Sequence, residues 1–553
     1  MNGLWQDIQY SCRRILRRPI PNSLIVLSLA LGIGANTAIF SLVHGILLKP
    51  LPFSDPERIV SVVELYPSVG ESTTSPPNFF DLRNQVRTFA PLAAFTDASV
   101  VLTVPGAPPE RLTGAVATAD FFPLLKAPFL AGRGFLAEED RPGAQDVVVI
   151  GSDLWRRRFG SNPAIVGQAL LFDEKPYTVV GVVDSGFAFP ERSQFWMPLA
   201  LKNNEKMRGA RWLSMIARLR PGVSLDQARV EADTVAQRLA VQYPTKNQGM
   251  KLSLRPLQEF LVRNVRSSLI LLMAIVAAVL LITCANVASI LLGRFVGQGT
   301  ELAIRSAIGS SRTLLLRPFL VETLLLSLCG GAVGLLLAAW LTSFLLAESP
   351  NATPRRAEVG IDLTALLFTL AVSLLVGLLV GMVPLLRRSV VRPASLLNGA
   401  DRSPGGKSVS ILRINQGIAV LEVALAVMLS VGAGLLVRSF VKLTAVSPGF
   451  RADNSLAVDL SLPDSRYGEE SRQRSFYSTL LPQVQALPGV RHAGAIFPLP
   501  MSGIAYALSF TAEDRPPADP AHAPTASVRF ISPDLLDAMG IPLLRGRGFT
   551  TAD

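Results

Sequence analysis

Three cysteines and three histidines are the residues of this chain best suited to metal binding or nucleophilic chemistry. They are Cys12, Cys284, Cys329, His44, His492 and His522. They are scattered along the chain, with neither a Cys-x-x-Cys pair nor a Cys/His spacing that would hold zinc. The pattern therefore predicts no catalytic residue, no metal site and no cofactor.

A fragment of a nucleotide-binding motif occurs at Gly406-Lys407-Ser408. It resembles the end of a P-loop, G-x-x-x-x-G-K-[ST]. The first glycine of such a loop would fall at position 401, which is an aspartate. The stretch also lies in a basic, Ser- and Pro-containing segment and not after a strand. We therefore interpret it as a linker and expect the chain to be non-catalytic.

Two carboxylates, Glu322 and Glu422, lie inside long apolar segments. Charged residues inside a bilayer are costly, so they are functional candidates. Glu322 lies about one helical turn inside its segment, where it can snorkel or pair with Arg317, and Glu422 lies about two turns inside. Two interpretations stay open: a role in intramembrane coupling, or helix pairing and interfacial anchoring. A proton relay would need further polar residues along a path.

Five long apolar segments must position these groups. They are residues 22–48, 266–293, 318–347, 363–386 and 414–440. Only 17% of the residues are charged, against about 25% in soluble domains. The segments are long enough to span a bilayer, and the first is too long for a signal peptide. The sequence predicts a multi-pass α-helical membrane protein.

Basic residues cluster in the N-terminal residues 1–21, in the loop 294–317 and in the linker 387–413. The short loop 348–362 has balanced charge. The positive-inside rule therefore predicts a cytoplasmic N-terminus, with residues 49–265 and 441–553 outside the membrane. The net charge of +12 then reflects topology and contact with an anionic lipid bilayer. Nucleic acid is not an expected partner, because no aromatic residues alternate with the basic ones.

The region 49–265 has the pattern of an α+β domain. Val-, Ile- and Tyr-rich runs at Ile59–Leu65, Val147–Ile150 and Tyr177–Val183 predict strands. An amphipathic helix is predicted over 225–241, with Ser224 and Gln227 forming a capping box at its start.

The clustered acidic residues and the aromatic residues of this region are interpreted as structural, not functional. Glu138, Glu139 and Asp140 are consecutive and follow a turn, so we expect a solvated turn. The aromatic residues Trp155, Phe159, Phe195 and Trp196 are expected to fill the core.

An internal repeat relates residues 118–135 to residues 532–549. The two segments align without gaps and share Gly-Arg-Gly-Phe at 132–135 and 546–549. Each follows an apolar segment that enters from the predicted cytoplasmic side. The repeat predicts an internal duplication. Residues 441–553 would then be an incomplete second external domain, and the chain a fragment of a longer protein. The alternative is a genuinely shorter second domain.

Several stretches resemble one family of permeases. Residues 284–338 resemble the FtsX-type permease core, and residues 75–85, 121–135 and 147–183 resemble the MacB periplasmic core. The opening residues 13–53 are similar to the duplicated "orphan" permeases of acidobacterial type. The resemblance implies MacB-like periplasmic core domains at 49–265 and, incompletely, at 441–553.

The family resemblance also implies a function. The residues that match the family's coupling helix, which contacts an ABC ATPase, are Glu301, Leu302, Ala303, Ile304, Arg305, Ala307 and Gly309. The implied protein is the permease subunit of an ABC-type system in the cell inner membrane. It would relay ATP-driven motion from a separate cytoplasmic ATPase to its external domains, for efflux or mechanotransmission.

Two other functions remain as alternatives. One is an ATPase-independent membrane scaffold or sensor. The other is a secondary transporter with a midplane ion site, which the sparse intramembrane charge disfavours.

Small residues mark where helices approach each other. Gly377 and Gly381 form a GxxxG pair, and Gly330, Gly331 and Gly334 cluster in the third segment. The expected partner of these surfaces is a duplicated permease half or a second chain.

Overall fold

The computed structural model describes residues 2–67, 70–184, 186–187, 189–190, 193–296, 312–348, 355, 358–382, 408–462, 464–502, 506–514 and 525–550. The chain divides into two compact units. The first comprises Met1–Lys49 and Leu261–Ala445, and the second comprises Pro50–Phe260 and Val446–Asp553.

The helices, in chain order, are α1 (Asn2–Arg17), α2 (Pro19–Val43), α3 (Pro76–Gln85), α4 (Phe121–Leu125), α5 (Ser152–Phe159), α6 (Leu225–Gln242), α7 (Pro244–Asn247), α8 (Leu257–Val296), α9 (Arg312–Glu348), α10 (Leu363–Met382), α11 (Ser408–Thr444), α12 (Asp464–Tyr467), α13 (Glu470–Gln485) and α14 (Leu535–Ala538). A π-helical turn, His44–Leu48, continues α2.

The strands are β1 (Ile59–Tyr66), β2 (Gly70–Ser72), β3 (Phe89–Thr103), β4 (Glu110–Ala117), β5 (Phe129–Gly132), β6 (Val147–Gly151), β7 (Ala169–Phe172), β8 (Lys175–Val183), β9 (Phe195–Pro198), β10 (Ser214–Leu219), β11 (Lys251–Pro256), β12 (Ile496–Phe497), β13 (Tyr506–Ser509), β14 (Thr525–Val528) and β15 (Phe530–Ile531).

In the described part of the chain, five helical stretches are long and apolar enough to cross a membrane. They are Pro19–Leu48, Leu257–Leu291, Arg317–Ala347, Leu363–Met382 and Glu422–Thr444. Each is at least as long as the roughly 20 residues that a bilayer requires.

Helix α9 is the centre of the helical unit, because two neighbours pack closely against its glycines. A Cβ atom added to Gly34 of α2 would lie 2.7 Å from the carbonyl oxygen of Gly334. On α10, a Cβ atom added to Gly377 or Gly381 would collide with the hydroxyl of Ser327 or Thr323. The glycine surfaces predicted to meet a duplicated half or a second chain therefore contact other helices of this chain.

Polar side chains reinforce the contacts of α2. Asn36, which is 3% exposed, donates from Nδ2 to the carbonyl oxygen of Val276 on α8 at 2.7 Å. The hydroxyl oxygens of Thr37 and Thr369 lie 3.0 Å apart and join α2 to α10. Inter-helix hydrogen bonds of this kind fix the rotation of each helix in an apolar environment.

A large mixed sheet dominates residues 50–260. Its strand order is β11-β1-β10-β3-β4-β9-β6-β8-β5, with β2 paired to β1 and β7 paired to β3 and β8. Most neighbours are antiparallel, but β4 pairs with β9 and β6 with β8 in parallel. The three predicted strands are present as β1, β6 and β8, and the predicted helix is α6. The α+β class is confirmed.

Two apolar clusters lie against this sheet. One joins β1, β3, β10 and β11 to α3 and α6. The other joins β3, β4, β6, β7 and β8 to α5. The predicted capping box at the start of α6 is formed: Gln227 N donates to Ser224 Oγ, and Ser224 N donates to Gln227 Oε1.

The predicted aromatic core is present in part. Phe195 and Trp196 are 0% and 1% exposed, whereas Trp155 and Phe159 are half-buried at the edge of the core. The Trp196 ring contacts Phe122 and Phe187 with centroid distances of 6.0 and 5.6 Å.

The prediction of a fully solvated turn at 138–140 is wrong for two of its three residues. Glu139, with a side chain 12% exposed, accepts hydrogen bonds of 2.8 and 2.7 Å from Arg133. Asp140 accepts from the amides of Ala119 and Ala200, at 2.8 Å each. The carboxylates close the turn and tie it to other segments, because hydrogen bonds to an ionised acceptor are stronger than those between neutral groups.

Candidate functional site

Helix α1 carries three polar side chains on one face. Asp7, Ser11 and Arg14 are spaced by four and three residues, which places them on a single face of a helix. The side-chain hydroxyl of Ser11 donates to the carbonyl oxygen of Pro318 at 3.3 Å. That carbonyl lies in the second turn of α9, so this face of α1 meets the N-terminal end of α9.

Ion pairs complete this contact. Arg317 Nε lies 2.8 Å from Asp7 Oδ2, and Arg14 Nη1 lies 3.4 Å from Glu322 Oε2. We call the six residues the α1–α9 cluster: Asp7, Ser11, Arg14, Arg317, Pro318 and Glu322. Glu322 therefore pairs with Arg14 and not, as the sequence had suggested, with Arg317.

Glu322 is the most buried charge of this cluster. Its side chain is 5% exposed, whereas that of Arg14 is 28% exposed. Removing one partner of a buried pair leaves a desolvated charge, which costs about 3–5 kcal/mol for fully buried pairs. The partial exposure of Arg14 places this pair below that range.

A second contact holds the C-terminal end of α8. Arg294 Nη1 donates to Asn22 Oδ1 at 2.6 Å. Asn22, which is 4% exposed at the start of α2, donates from Nδ2 to the carbonyl oxygen of Ile15 at 2.9 Å. The end of α8 and the link between α1 and α2 are thereby joined through one amide side chain.

These two contacts flank the segment predicted to couple to an ATPase. Helix α8 ends at Val296 and α9 begins at Arg312. The seven predicted coupling residues, Glu301, Leu302, Ala303, Ile304, Arg305, Ala307 and Gly309, lie between them and outside the described residues. The charged fragment Gly406-Lys407 also lies outside them.

Glu422, the second intramembrane candidate, lies apart from the α1–α9 cluster. It is half-buried on α11, and its Oε1 atom is buried without a hydrogen-bond partner among the described residues. In that part of the chain no ion pair or hydrogen bond joins it to Glu322. The two predicted carboxylates therefore do not form one site.

Sequence reasoning missed Asp7, Ser11 and Asn22, and it treated Arg14 and Arg294 only as topology signals. One signal was available for Asp7, because it is the only acidic residue among the basic residues that precede the first apolar segment. Its spacing to Ser11 and Arg14 is the pattern of one helical face.

The sheet domain contains a second polar site, which sequence reasoning also missed. Glu64 on β1 is 0% exposed and accepts hydrogen bonds from Thr74, from Tyr66 at 2.8 Å and from Asn78 at 3.0 Å. Asn247 donates to Asn78 Oδ1 at 2.9 Å. We call these five residues the Glu64 cluster: Glu64, Tyr66, Thr74, Asn78 and Asn247.

Two arginines border the Glu64 cluster. Arg211 Nε lies 3.5 Å from Glu64 Oε2, and its guanidinium lies 4.1 Å from the Tyr66 ring centroid. Arg208 donates to Asn78 Oδ1 at 2.8 Å and to Asp81 at 2.7 Å. Burial raises the pKa of Glu64 above its ordinary value, although the hydrogen bonds and Arg211 oppose the shift. Such a satisfied network fixes side-chain positions.

Among the described residues, no group of three or more His, Cys, Asp or Glu side chains is arranged to hold a metal ion. The three cysteines are free and distant from one another in sequence.

Comparison with known protein families matches two parts of the chain. The model of the MacB-like periplasmic core domain matches residues 23–235, and the model of the FtsX-like permease C-terminal domain matches residues 273–391.

Curated relatives are macrolide export ATP-binding/permease proteins named MacB. The protein of Salmonella paratyphi A is 27% identical over 295 residues, which cover 51% of this chain and 42% of the relative. That of Burkholderia pseudomallei is 30% identical over 226 residues, covering 39% and 33%. The chain thus spans less than half the length of these relatives.

Solved structures with a partial likeness are also periplasmic or extracellular domains. The periplasmic region of MacB from Actinobacillus actinomycetemcomitans has a TM-score of 0.29 at 16% identity, covering 41% of this chain and 97% of that one. The extracellular domain of the noncanonical ABC-type transporter YknZ from Gram-positive bacteria has a TM-score of 0.27 at 14% identity, covering 35% and 99%.

The apolar helices and the α+β domain define a multi-pass α-helical membrane protein of the permease class. The two matched domains make the chain a MacB/FtsX-type permease, located in the inner membrane. The predicted family is confirmed. The orphan subtype stays a prediction.

Proposed function

We propose that this chain is the permease subunit of an ABC-type system. A separate cytoplasmic ATPase docks on residues 301–309, and its nucleotide-driven motion moves the adjoining ends of α8 and α9. The helices relay this motion to the extracytoplasmic domain, for efflux or mechanotransmission. The chain itself carries no catalytic residue in this proposal.

The observation that supports this proposal is the attachment of both ends of the loop. Arg294 ties the end of α8 to Asn22, and Arg317 and Glu322 tie the start of α9 to α1. A force on the loop would therefore act on α1, α2, α8 and α9 together. Helices held by discrete polar contacts suit a two-state transition, which is what nucleotide-dependent coupling requires.

The close packing of α9 supports the relay. Gly34 and Gly334 bring the backbones of α2 and α9 into direct contact. Small residues at such a contact leave little room for independent sliding. In sequence, α2 leads directly into the sheet domain, and α8 follows directly after its last strand, β11.

Capture of an ATPase from the native host would test the proposal. We expect the tagged full-length chain to co-purify with an ABC ATPase, identified by mass spectrometry and by ATP hydrolysis. The variant Glu301→Ala/Arg305→Glu should lose it, because the docking segment is altered.

A matched control is Glu469→Ala/Arg472→Glu, which makes the same changes at an exposed ion pair of the second unit. It should retain the ATPase. Equal capture by all three proteins would refute the docking segment. If none captures an ATPase, the scaffold or sensor alternative takes its place.

A further inference from the structure

The C-terminal half of α11 repeats the sequence of α2. Residues 25–50 and 423–448 align without gaps. The identical pairs are Leu27/Leu425, Leu31/Leu429, Gly34/Gly432, Ala35/Ala433, Ser41/Ser439, Val43/Val441 and Pro50/Pro448. Helix α11 is therefore the counterpart of α2 in the internal repeat.

In α2 the repeated face is completely covered. Ile25, Leu29 and Ile33 follow each other at four-residue spacing and are 0%, 2% and 0% exposed. Gly34 lies beside them and allows the backbone of α9 to approach. On α9, a Cβ atom added to Gly330 would lie 2.6 Å from Leu29 Cβ.

In α11 the same face is bare. Val423, Val427 and Val431 align with the three aliphatic residues of α2, and they are 61%, 56% and 56% exposed. Among the described residues, no heavy atom lies within 4 Å of the position that a Cβ atom would take on Gly432, the counterpart of Gly34. The apolar surface that α2 buries is thus left uncovered on α11.

The polar residues that join α2 to α8 and α10 are not repeated. Asn36 and Thr37, which bind α8 and α10, align with Gly434 and Leu435. Neither replacement has a side chain that forms such hydrogen bonds. The repeat therefore preserves the face for an α9-type helix and not the polar contacts with the other two helices.

We propose that this face of α11 is a docking surface for a second helix of the α9 type, contributed by a second permease half. The surface consists of Val423, Val427, Val431 and Gly432. Its partner carries glycines one turn apart, as Gly330 and Gly334 are, because only small residues permit the backbone approach seen between α2 and α9. The α9 of a second copy does not suit, since α2 already covers its glycines.

The test uses a peptide with the sequence Arg317–Ala347 as the partner helix. The peptide, with Cys329→Ser, carries a donor dye at its C-terminal end. The full-length chain, with its native cysteines replaced by serine, carries an acceptor at Lys442→Cys. Both are reconstituted in phosphatidylcholine vesicles, and energy transfer is measured against peptide density.

We expect saturable transfer to the parent chain. The Gly432→Leu variant should bind roughly tenfold more weakly, which is about 1.4 kcal/mol, because the leucine side chain blocks the close backbone approach. Gly417→Leu should bind like the parent, because Gly417 also has no neighbour within 4 Å but lies outside the aligned segment. A peptide with Gly330→Leu and Gly334→Leu should lose binding.

Three results would overturn the proposal. Equal energy transfer to the parent and to the Gly432→Leu variant would show that Gly432 does not form the helix contact. Transfer between two labelled copies of the chain, lost in Gly432→Leu, would make a second copy the occupant. Transfer no greater than with a scrambled peptide would mean that only lipid covers this face. Because Gly432 lacks neighbours, the leucine variant should elute like the parent in detergent, which checks its fold.

Discussion

At the scale of single residues, the acidic side chains of this chain differ mainly in what lies within hydrogen-bond distance. Arg133 lowers the pKa of Glu139 through a bidentate hydrogen bond, with burial opposing it. Burial raises the pKa of Asp140, even though two backbone amides oppose the shift. The pKa values of these neighbouring carboxylates are thus shifted in opposite directions, because Glu139 is hydrogen-bonded directly to a cation whereas burial dominates at Asp140.

Glu64 yields a prediction about pH. Its pKa is raised in the folded state above the unfolded value of 4.5, because burial disfavours the charged form. The folded state then binds the proton more tightly. The stability from this group is complete below about pH 4.5 and is lost as the pH rises through the folded pKa.

We expect the Glu64→Gln variant not to lose stability in this way as the pH rises, because it has no carboxyl group to ionise. Its amide oxygen can still accept hydrogen bonds from Thr74 and Asn78. The advantage of the variant over the parent should therefore grow as the pH rises. This difference in stability is measured by hydrogen exchange of the β1 amides in the full-length chain. The exchange rates are corrected for the intrinsic pH dependence of amide exchange. Glu57→Gln, the same change at an exposed site, is the control. If the difference in stability between Glu64→Gln and the parent stayed constant with pH, the raised pKa of Glu64 would be contradicted.

At the scale of elements, the Gly-Arg-Gly-Phe repeat has a structural explanation. Gly132 ends β5 with a φ of +70°, and a Cβ atom there would collide with the carbonyl oxygen of Val180 on β8. Phe135 is 6% exposed and packs on Phe122. In the second copy, Gly546 keeps a φ of +87° but has no neighbour within 4 Å.

The two copies predict unequal responses to the same substitution. Gly546→Ala should cost only the backbone strain of a positive φ, about 1 kcal/mol. Gly132→Ala adds a backbone collision, so we expect a loss of about 2–4 kcal/mol and much faster amide exchange in β8. The free energies of unfolding of the two full-length variants are compared by guanidinium unfolding in detergent. Equal losses would mean that the close approach of β8 is not what requires Gly132.

At the scale of the whole molecule, the proposed function depends on which side of the membrane each unit occupies. The basic residues near α1 predict that it is cytoplasmic. Cys12 lies on α1 and is exposed, and the native cysteines are absent from the proposed external regions. The chain is therefore suited to cysteine labelling.

We expect Val230→Cys, at a position 70% exposed on α6, to react with a membrane-impermeant maleimide in intact spheroplasts. Cys12 should react only after permeabilisation. Cys284 and Cys329 are replaced by serine in both proteins. Labelling of Cys12 in sealed spheroplasts would show that the orientation of the chain is the opposite of the predicted one. Docking of a cytoplasmic ATPase on residues 301–309 would then be excluded.

Local patterns determined much of this protein from sequence alone. The five apolar helices, the strands β1, β6 and β8, and the capping box at Ser224 are all read from residues close together in the chain. Length, hydropathy and side-chain periodicity dictate such elements, because each is stabilised by neighbouring residues or by the surrounding solvent. The family resemblance likewise depended on contiguous motifs.

Tertiary structure alone decided which groups meet. Arg14 pairs with Glu322, which lies 308 positions further along the chain. Glu64 accepts hydrogen bonds from Thr74 and Asn78, and Asn78 in turn accepts one from Asn247, 169 positions away. The same holds for the glycines of α9 and α10, which contact neighbouring helices of the same chain. A sequence specifies how each helix or strand presents its side chains, but the partner of a side chain depends on how separate elements pack, and that is settled only when the chain is folded.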